Sequence, residues 1–184
     1  MYQTGSLPDT YAKFDNKKLL YVYDAAPRRV REILEGLSEK ELKERPRPGK
    51  WSIFETVVHL ADAEIVGAMR IRQTFTQSDR QFGFYDQEAW AEKLKYQELS
   101  MAAFYYYVKS FEMLRLTTST IFHNATKSDW LKTGFHPELG EVSLRQLLEV
   151  YADHGERHIQ QVLQCRELIK KPISFPMLLE ERLY

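Results

Sequence analysis

Apolar residues recur at spacings of three and four along most of this chain, which is the pattern of amphipathic helices. No convincing run of strand-like alternation, internal repeat or low-complexity stretch interrupts it. The pattern predicts four substantial helices, over residues 24–34, 52–76, 100–122 and 143–170. Four such helices joined by connections of mixed length indicate an all-α fold, an up-down four-helix bundle.

Capping motifs support the predicted helix starts. Ser52–Glu55 and Ser143–Gln146 each place a serine three residues before a side chain that can bond back to it, which is the capping box. Ser38–Glu41 is a third such motif and predicts a short helical turn. The first helix lacks this motif, so we expect Asp24 to cap it, with Pro27 in its first turn and Gly36 ending it.

The remaining segments have the composition of connections. They are predicted as a surface wrap over the first twenty or so residues, a loop over 76–85, a short helix over 86–94, a loop over 124–140 and an extended tail from Pro172.

Composition narrows the class of protein. The chain has 184 residues, of which 43% are hydrophobic and 28% charged, as expected for one globular domain over residues 1–184. Its 26 basic and 26 acidic side chains cancel, so no overall field attracts nucleic acid or a membrane surface. No apolar run reaches the roughly 20 residues that span a bilayer, and the N-terminus does not resemble a signal peptide. Cys165 is the only cysteine, which excludes an internal disulfide and favours a cytoplasmic location.

Candidate chemistry concentrates in the fourth helix, where His154 and His158 stand four residues apart. Residues at this spacing lie one turn apart on one helix face, so both imidazoles can reach a single point. Leu147, Tyr151 and Val162 share that face, which makes it the inward-facing stripe. Two buried imidazoles without a metal would each need a hydrogen-bond partner. A divalent metal removes this requirement by accepting both lone pairs.

A third histidine, His59, lies in the second predicted helix and could complete the site from across a bundle. Its helix neighbours Thr56, Ala63 and Val66 are small or short and would leave a cavity beside it. Three protein ligands with one open position describe a catalytic zinc-type site. Imidazole also suits nickel, iron or copper, so the residues do not identify the metal. Core histidines satisfied by ordinary hydrogen bonds are the competing interpretation.

The other polar candidates have weaker interpretations. His123 ends a helix, where a cation favours the helix dipole. His136 precedes a proline in a loop and is expected either to be exposed or to pack that loop. Cys165 lies too far along the helix from His158 to share its metal and is expected in the core. Asp62 or Asp153 could hold a histidine ring N–H, although exposed charge is the default for both. An aromatic cluster on the third helix is expected to serve core and dimer packing, with one tyrosine as a candidate for the metal pocket: Phe104, Tyr105, Tyr106, Tyr107 and Phe111.

Three stretches together resemble the DinB-like (YfiT-like) family: Pro48–Glu64, the segment from Trp130 through His136–Gly140, and His154–Gln161. The resemblance covers roughly residues 24–170. It implies an up-down four-helix bundle that binds one divalent metal through His59, His154 and His158. As the metal we expect zinc or nickel ahead of iron or manganese. No other cofactor-binding residue is implied, and no side chain is assigned as catalytic.

The resemblance implies metal-dependent hydrolases and enzymes that transfer low-molecular-weight thiols to electrophiles. The residues favour thiol transfer, because Glu156 is offset by about 200° from His154 on the helical wheel and points away from the site. The alternatives are a metal-dependent hydrolase of a small substrate and a non-catalytic, stress-related metal-binding protein. The aromatic-rich third helix and the segment Phe82–Trp90 suggest a homodimer.

Overall fold

The computed structural model describes residues 14–77 and 80–179, and these are mostly helical. The helices are α1 (Asn16–Leu34), α2 (Glu39–Lys43), α3 (Ile53–Thr76), α4 (Gln87–Lys93), α5 (Met101–His123) and α6 (Leu144–Leu168). Two short 3-10 turns, Tyr96–Glu98 and Asp129–Leu131, and three short strands complete the described elements: β1 (Arg80–Gln81), β2 (Thr133–His136) and β3 (Gly140–Ser143).

The four long helices form the expected four-helix bundle. Helix α1 packs on α5 and α6, and α3 packs on the same two helices, so α1 and α3 lie diagonally across the bundle. Helix α3 is consequently buried on nearly all sides over its first three turns. Helix α3, which carries His59, therefore lies directly against α6, which carries His154 and His158.

The three capping boxes form as the sequence predicts. Ser38, Ser52 and Ser143 each accept a hydrogen bond from the backbone N–H three residues later, and the glutamate or glutamine there bonds back to the serine N–H. Each box satisfies two helix-terminal donors and so determines where the helix begins. The starts of α2, α3 and α6 are therefore confirmed to the residue.

The predicted start of α1 is wrong by about two and a half turns, because the cap is Asp15 and not Asp24. Asp15 caps the helix through the N–H of Lys18, at 2.7 Å, and Pro27 lies in the helix interior. Proline there removes the N–H that would bond the carbonyl of Tyr23. Nη1 of Arg115 on α5 donates to that carbonyl instead, at 3.4 Å. The helix can therefore continue through Pro27, because the carbonyl that the proline leaves without a helix hydrogen bond has a partner on α5. The local pattern alone placed this proline at a helix start.

The predicted loops, over residues 76–85 and 124–140, contain or lead into strands that the hydrophobic pattern did not indicate. Strands β2 and β3 form an antiparallel hairpin, and β1 pairs with β2 in parallel. Strands of two to four residues are too short to show alternation. Gly134 is required in this sheet, because an added Cβ would lie 2.4 Å from the ring of Phe82.

The C-terminal segment follows α6 as an extended tail, as predicted, and lies across α1 and α6. Arg29 donates from Nη2 to the carbonyl of Pro176 at 2.6 Å, and the N–H of Leu178 donates to Glu156 at 3.0 Å. The predicted surface wrap falls largely outside the described residues, which begin at 14. Among the described helices, none is long and apolar enough to cross a membrane.

Candidate metal centre

Three histidine rings meet where α3 packs on α6. Nε2 of His154 lies 3.2 Å from Nε2 of His59 and 3.1 Å from Nε2 of His158. His59 is fully buried, whereas His154 and His158 are half-buried and face a cavity. The structure therefore brings together the three residues that the sequence predicts as ligands.

Hydrogen bonds on the far side of two rings orient them. The side-chain amide of Gln161 donates from Nε2 to Thr56, at 3.3 Å, which directs its Oε1 toward Nδ1 of His158, at 2.9 Å. Nδ1 of His59 lies 3.2 Å from the hydroxyl of Tyr85. Rings that donate from Nδ1 keep the Nε2 lone pair free, and that lone pair is directed at the common point.

The imidazoles are held in the neutral form that a metal requires. Burial, followed by the neighbouring His158, lowers the pKa of His59 to about 2. Burial lowers the pKa of His158 to about 4, and burial together with both other histidines lowers that of His154 well below its ordinary value. Neutral imidazole is the form that binds metal, because protonation removes the lone pair.

The donor set fits a divalent ion. Metal–nitrogen bonds of about 2.0–2.1 Å at tetrahedral angles place neighbouring donor atoms about 3.3 Å apart. Nε2 of His154 lies 3.1–3.2 Å from the other two Nε2 atoms, and all three donor atoms lie within 4.8 Å of one another. Three lone pairs pointing at one another repel unless a cation lies between them. His59, His154 and His158 form the group of potential metal ligands found within the described residues.

A cavity of about 430 Å³ opens from this point toward solvent. Ala63 on α3 lines it, as expected from the small residues beside His59, and so do Tyr85 and Tyr151. The ring of Trp51 packs against His59 on another side, at 4.9 Å between centroids. The three imidazoles are thus covered by packed aromatic rings on one side. On the other side they face a cavity large enough for a small molecule.

The aromatic cluster of the third helix, which the sequence offered as a source of a tyrosine for the metal pocket, does not line this cavity. Tyr105 and Tyr106 on α5 are exposed, while Phe104 and Phe111 fill the core. Tyr85, which does reach His59, belongs to the connection between α3 and α4. No spacing rule relates a loop tyrosine to a helix histidine 26 positions away, so the sequence carried no signal for it.

The acidic candidates are buried, contrary to the expectation of exposed charge. Asp62 accepts a hydrogen bond from the hydroxyl of Tyr96, at 2.5 Å, and Asp153 pairs with Arg157, at 2.9 Å. Burial raises the pKa of Asp62. The ring nitrogens of His59 and His158 that face away from the metal point meet a hydroxyl and an amide, not these carboxylates.

The remaining histidines keep their expected positions but make contacts that the sequence did not indicate. His123 pairs with Asp24 at 2.9 Å, so a side chain as well as the helix dipole faces it. His136 lies at the end of β2 and lines the same cavity as the metal ligands. Cys165 is buried in the core, as predicted.

The chain is similar in sequence to a known protein family and to several named bacterial proteins. A family model described as the DinB superfamily matches residues 23–162. A protein of Oceanobacillus iheyensis named "Putative metal-dependent hydrolase" is 25% identical over 139 residues, which cover 74% of this chain and 77% of that protein. A Bacillus licheniformis protein with the same description is 27% identical, over 77% of this chain and 80% of its own length.

Two solved structures share the fold. YfiT from Bacillus subtilis, described as "a probable metal-dependent hydrolase with an unusual four-helix bundle topology", superposes with a TM-score of 0.78 at 19% identity, covering 86% of this chain and 89% of its own. A mycothiol-dependent maleylpyruvate isomerase superposes with a TM-score of 0.66 at 13% identity, covering 83% of this chain and 62% of its own. At these identities the likeness shows the fold.

Proposed function

This chain belongs to the DinB superfamily, and on that premise we propose that it is a metal-dependent enzyme that transfers a small thiol to an electrophilic substrate. His59, His154 and His158 are the proposed ligands of one divalent ion, with zinc or nickel preferred. The observation that carries the proposal is the convergence of three neutral imidazoles on a point that opens into a cavity. A divalent ion held there would lower the pKa of a coordinated thiol or water, or polarise a carbonyl.

The chain's own residues supply binding and orientation. Gln161 and Tyr85 contact the Nδ1 atoms of two imidazoles, whose Nε2 atoms would hold the ion. Burial raises the pKa of Tyr85, which keeps its hydroxyl protonated. Ala63 leaves the cavity open beside His59. Two reactants bound in this enclosed space would be held close together, which favours their reaction.

The position of Glu156 favours thiol transfer over hydrolysis. Zinc proteases of the HExxH type carry their base directly after the first histidine, and here that position is Gly155. Glu156, one residue further on, pairs with Arg29 at 3.3 Å on the opposite side of the helix. Activation of a thiol needs no such base when the metal lowers the thiol's pKa. The mycothiol dependence of one fold neighbour supports the same choice.

Hydrolysis of a small substrate is the second candidate. The relatives named as metal-dependent hydrolases support it. A water-derived product formed in the absence of any thiol would establish this activity. A non-catalytic, stress-related metal-binding protein is the third candidate and would show metal binding with neither reaction.

A thiol panel tests the proposal. Rates of conjugation to a chromogenic electrophile are measured with metal-loaded, metal-free and metal-restored protein. We expect activity in the loaded and restored forms alone. Cys165→Ser is the matched control and should retain activity, because Cys165 is buried in the core away from the cavity. Equal rates for loaded and metal-free protein would exclude the transferase.

Assembly as a homodimer and a cytoplasmic location stay predictions. Helix α5 exposes Tyr105, Tyr106, Met113 and Leu116, each more than half accessible, and a second copy would cover such side chains. The segment Phe82–Trp90 gives weaker support to a dimer, because the side chain of Phe82 is buried within the same chain. Sedimentation of the wild-type protein at high micromolar concentration should show a dimer, and a monomer there would exclude it.

A further inference from the structure

Arg70 is a buried cation in the wall of the cavity. Its side chain is 7% exposed, and among the described residues no carboxylate pairs with it. Nη2 donates to the carbonyl of Gly83 at 2.9 Å, while Nε is buried without a hydrogen-bond partner. The ring of Phe82, 5.7 Å from the guanidinium, supplies only a weak attraction. Burying a charge without a counter-ion costs free energy, so an anion bound beside Arg70 would stabilise the folded protein.

A second donor faces the same guanidinium. Nη1 of Arg70 lies 2.8 Å from Nε2 of His136. Nδ1 of His136 is within 3.2 Å of the N–H of Glu138 and 3.3 Å of the N–H of Leu139, and accepts from both. A neutral imidazole that accepts at Nδ1 carries its proton on Nε2. In this tautomer Nε2 of His136 is a donor that faces Nη1 of Arg70, and neither nitrogen can accept a hydrogen bond from the other.

This conflict resembles the one at the metal centre. There, three lone pairs converge on one point and require a cation. Here, an N–H of Arg70 and an N–H of His136 converge, and they require an acceptor with negative charge. The hydroxyl of Tyr151 accepts a long hydrogen bond from Nη1 of Arg70, at 3.4 Å, and supplies no negative charge. All three residues line the cavity that the metal ligands also line.

We propose that Arg70, His136 and Tyr151 form a carboxylate-binding subsite beside the metal centre, so that one of the two reactants carries a carboxylate. This inference rests on the proposed function, because it names a chemical feature of that reaction's substrates. A carboxylate suits the position, since its two oxygens accept from two neighbouring donors at once and a guanidinium binds it with charge-assisted hydrogen bonds.

The competing role for Arg70 is purely structural. By holding the carbonyl of Gly83, it would keep the segment before α4, including Tyr85, over the cavity. A structural arginine would affect stability and leave discrimination between charged and uncharged ligands unchanged. The two roles are therefore separable by comparing ligands that differ in charge and hardly in shape.

The binding test uses metal-free protein, so that a carboxylate cannot ligate the ion. Propanoate and its isostere propanamide are titrated while the arginine Nε–H and histidine resonances are followed by NMR. We expect propanoate to bind at least about tenfold more tightly than propanamide. Arg70→Gln should abolish the difference. Arg72→Gln is the matched control, because Arg72 lies on the same helix, bonds to Thr118 on α5 and does not line the cavity.

Folding of the variants is controlled separately. If Arg70→Gln does not fold, Arg70→Lys keeps the charge without the planar fork, and we expect it to lose most of the preference for propanoate. Equal binding of propanoate and propanamide by the wild type would overturn the proposal. So would an unchanged preference in a folded Arg70 variant, or tighter binding of inorganic phosphate than of propanoate.

A kinetic comparison identifies which reactant carries the carboxylate. In the metal-loaded enzyme, 3-mercaptopropanoate is compared with 3-mercaptopropanamide, and a carboxylate-bearing electrophile with its amide. Arg70→Gln should raise KM about tenfold for one acid and for neither amide, with metal content unchanged by elemental analysis. If neither acid is preferred, no reactant uses the subsite and the proposal fails. Propanoate binding without metal keeps this failure distinct from failure of the transferase.

Discussion

At the scale of single residues, the candidate centre depends on which nitrogen of each imidazole faces inward. Gln161 and Tyr85 determine this for His158 and His59, because their oxygens face the two Nδ1 atoms. The three Nε2 atoms then form a compact donor set. Two predictions separate the residues that hold the ion from those that orient its ligands.

The first prediction concerns the ligands. His154→Ala should reduce bound metal from about one ion per chain to nearly none, because two imidazoles alone hold a divalent ion weakly. Elemental analysis of the purified protein measures this. His123→Ala is the control, since His123 pairs with Asp24 at the end of α5. Full metal occupancy in both His154→Ala and His158→Ala would show that the ligands are misassigned.

The second prediction concerns orientation. Gln161→Leu removes the acceptor at Nδ1 of His158 and should weaken metal affinity about 10- to 100-fold while the ion still binds. Competition with a chelating indicator dye measures the affinity. Gln164→Leu provides a control on the same helix, because Gln164 is exposed to solvent. Equal affinities in wild type and Gln161→Leu would contradict an orienting role.

At the scale of helices, the distance between the ligands depends on how closely α3 approaches α6. Gly67 on α3 lies against the ring of Tyr151 on α6, and an added Cβ would come within 2.4 Å of that ring. The absence of a side chain at Gly67 lets the two helices pack with His59 beside His154. A buried ion pair between Arg115 on α5 and Glu64 on α3, at 2.6 Å, also holds α5 against α3.

The third prediction follows from this contact. Gly67→Ala should displace Tyr151 and lower the free energy of unfolding by about 1–3 kcal/mol, the usual cost of overpacking. Urea denaturation followed by circular dichroism measures this. Gly83→Ala is the control, because an added Cβ there meets nothing within 4 Å. Unchanged stability of Gly67→Ala would mean that the helices adjust without strain.

At the scale of the whole molecule, the metal-free protein should be sensitive to acid. Unfolded histidine has a pKa of about 6.5, whereas in the fold the pKa of His158 is lowered to about 4 and that of His59 to about 2, both first by burial. Between these values the unfolded chain binds more protons than the folded one. Stability therefore increases with pH in this window and is lost as the pH falls below about 6.5.

The fourth prediction isolates this effect from the carboxylates. Burial raises the pKa of Glu149 and Glu156, which opposes the histidine effect as the pH falls. Wild type and His59→Gln are therefore compared without metal by urea denaturation from pH 7 to pH 4. The wild type should lose more stability over this range than the variant. Parallel pH profiles would contradict the lowered pKa of His59.

Much of the bundle could be predicted because its signals are local. Capping boxes at Ser52 and Ser143 and the spacing of His154 and His158 act within one or two turns, so they can be read from neighbouring positions. Helix α1 shows where local reading fails. Pro27 indicates a helix start by itself, but Arg115 bonds the carbonyl that the proline leaves free, and the helix continues through it.

The sequence by itself thus determined the helical class, most helix boundaries and the shared helix face of His154 and His158, since periodicity and capping depend on residues close together in the chain. The approach of His59 to that face, across 95 positions, was decided by the tertiary structure. Only the tertiary structure decided that α1 and α3 lie diagonally, that Tyr85 reaches His59, and that Arg70 faces His136. The last two contacts join a loop or strand to a helix across 26 and 66 positions. Their physical cause is packing between distant segments, which leaves no periodic trace in the sequence.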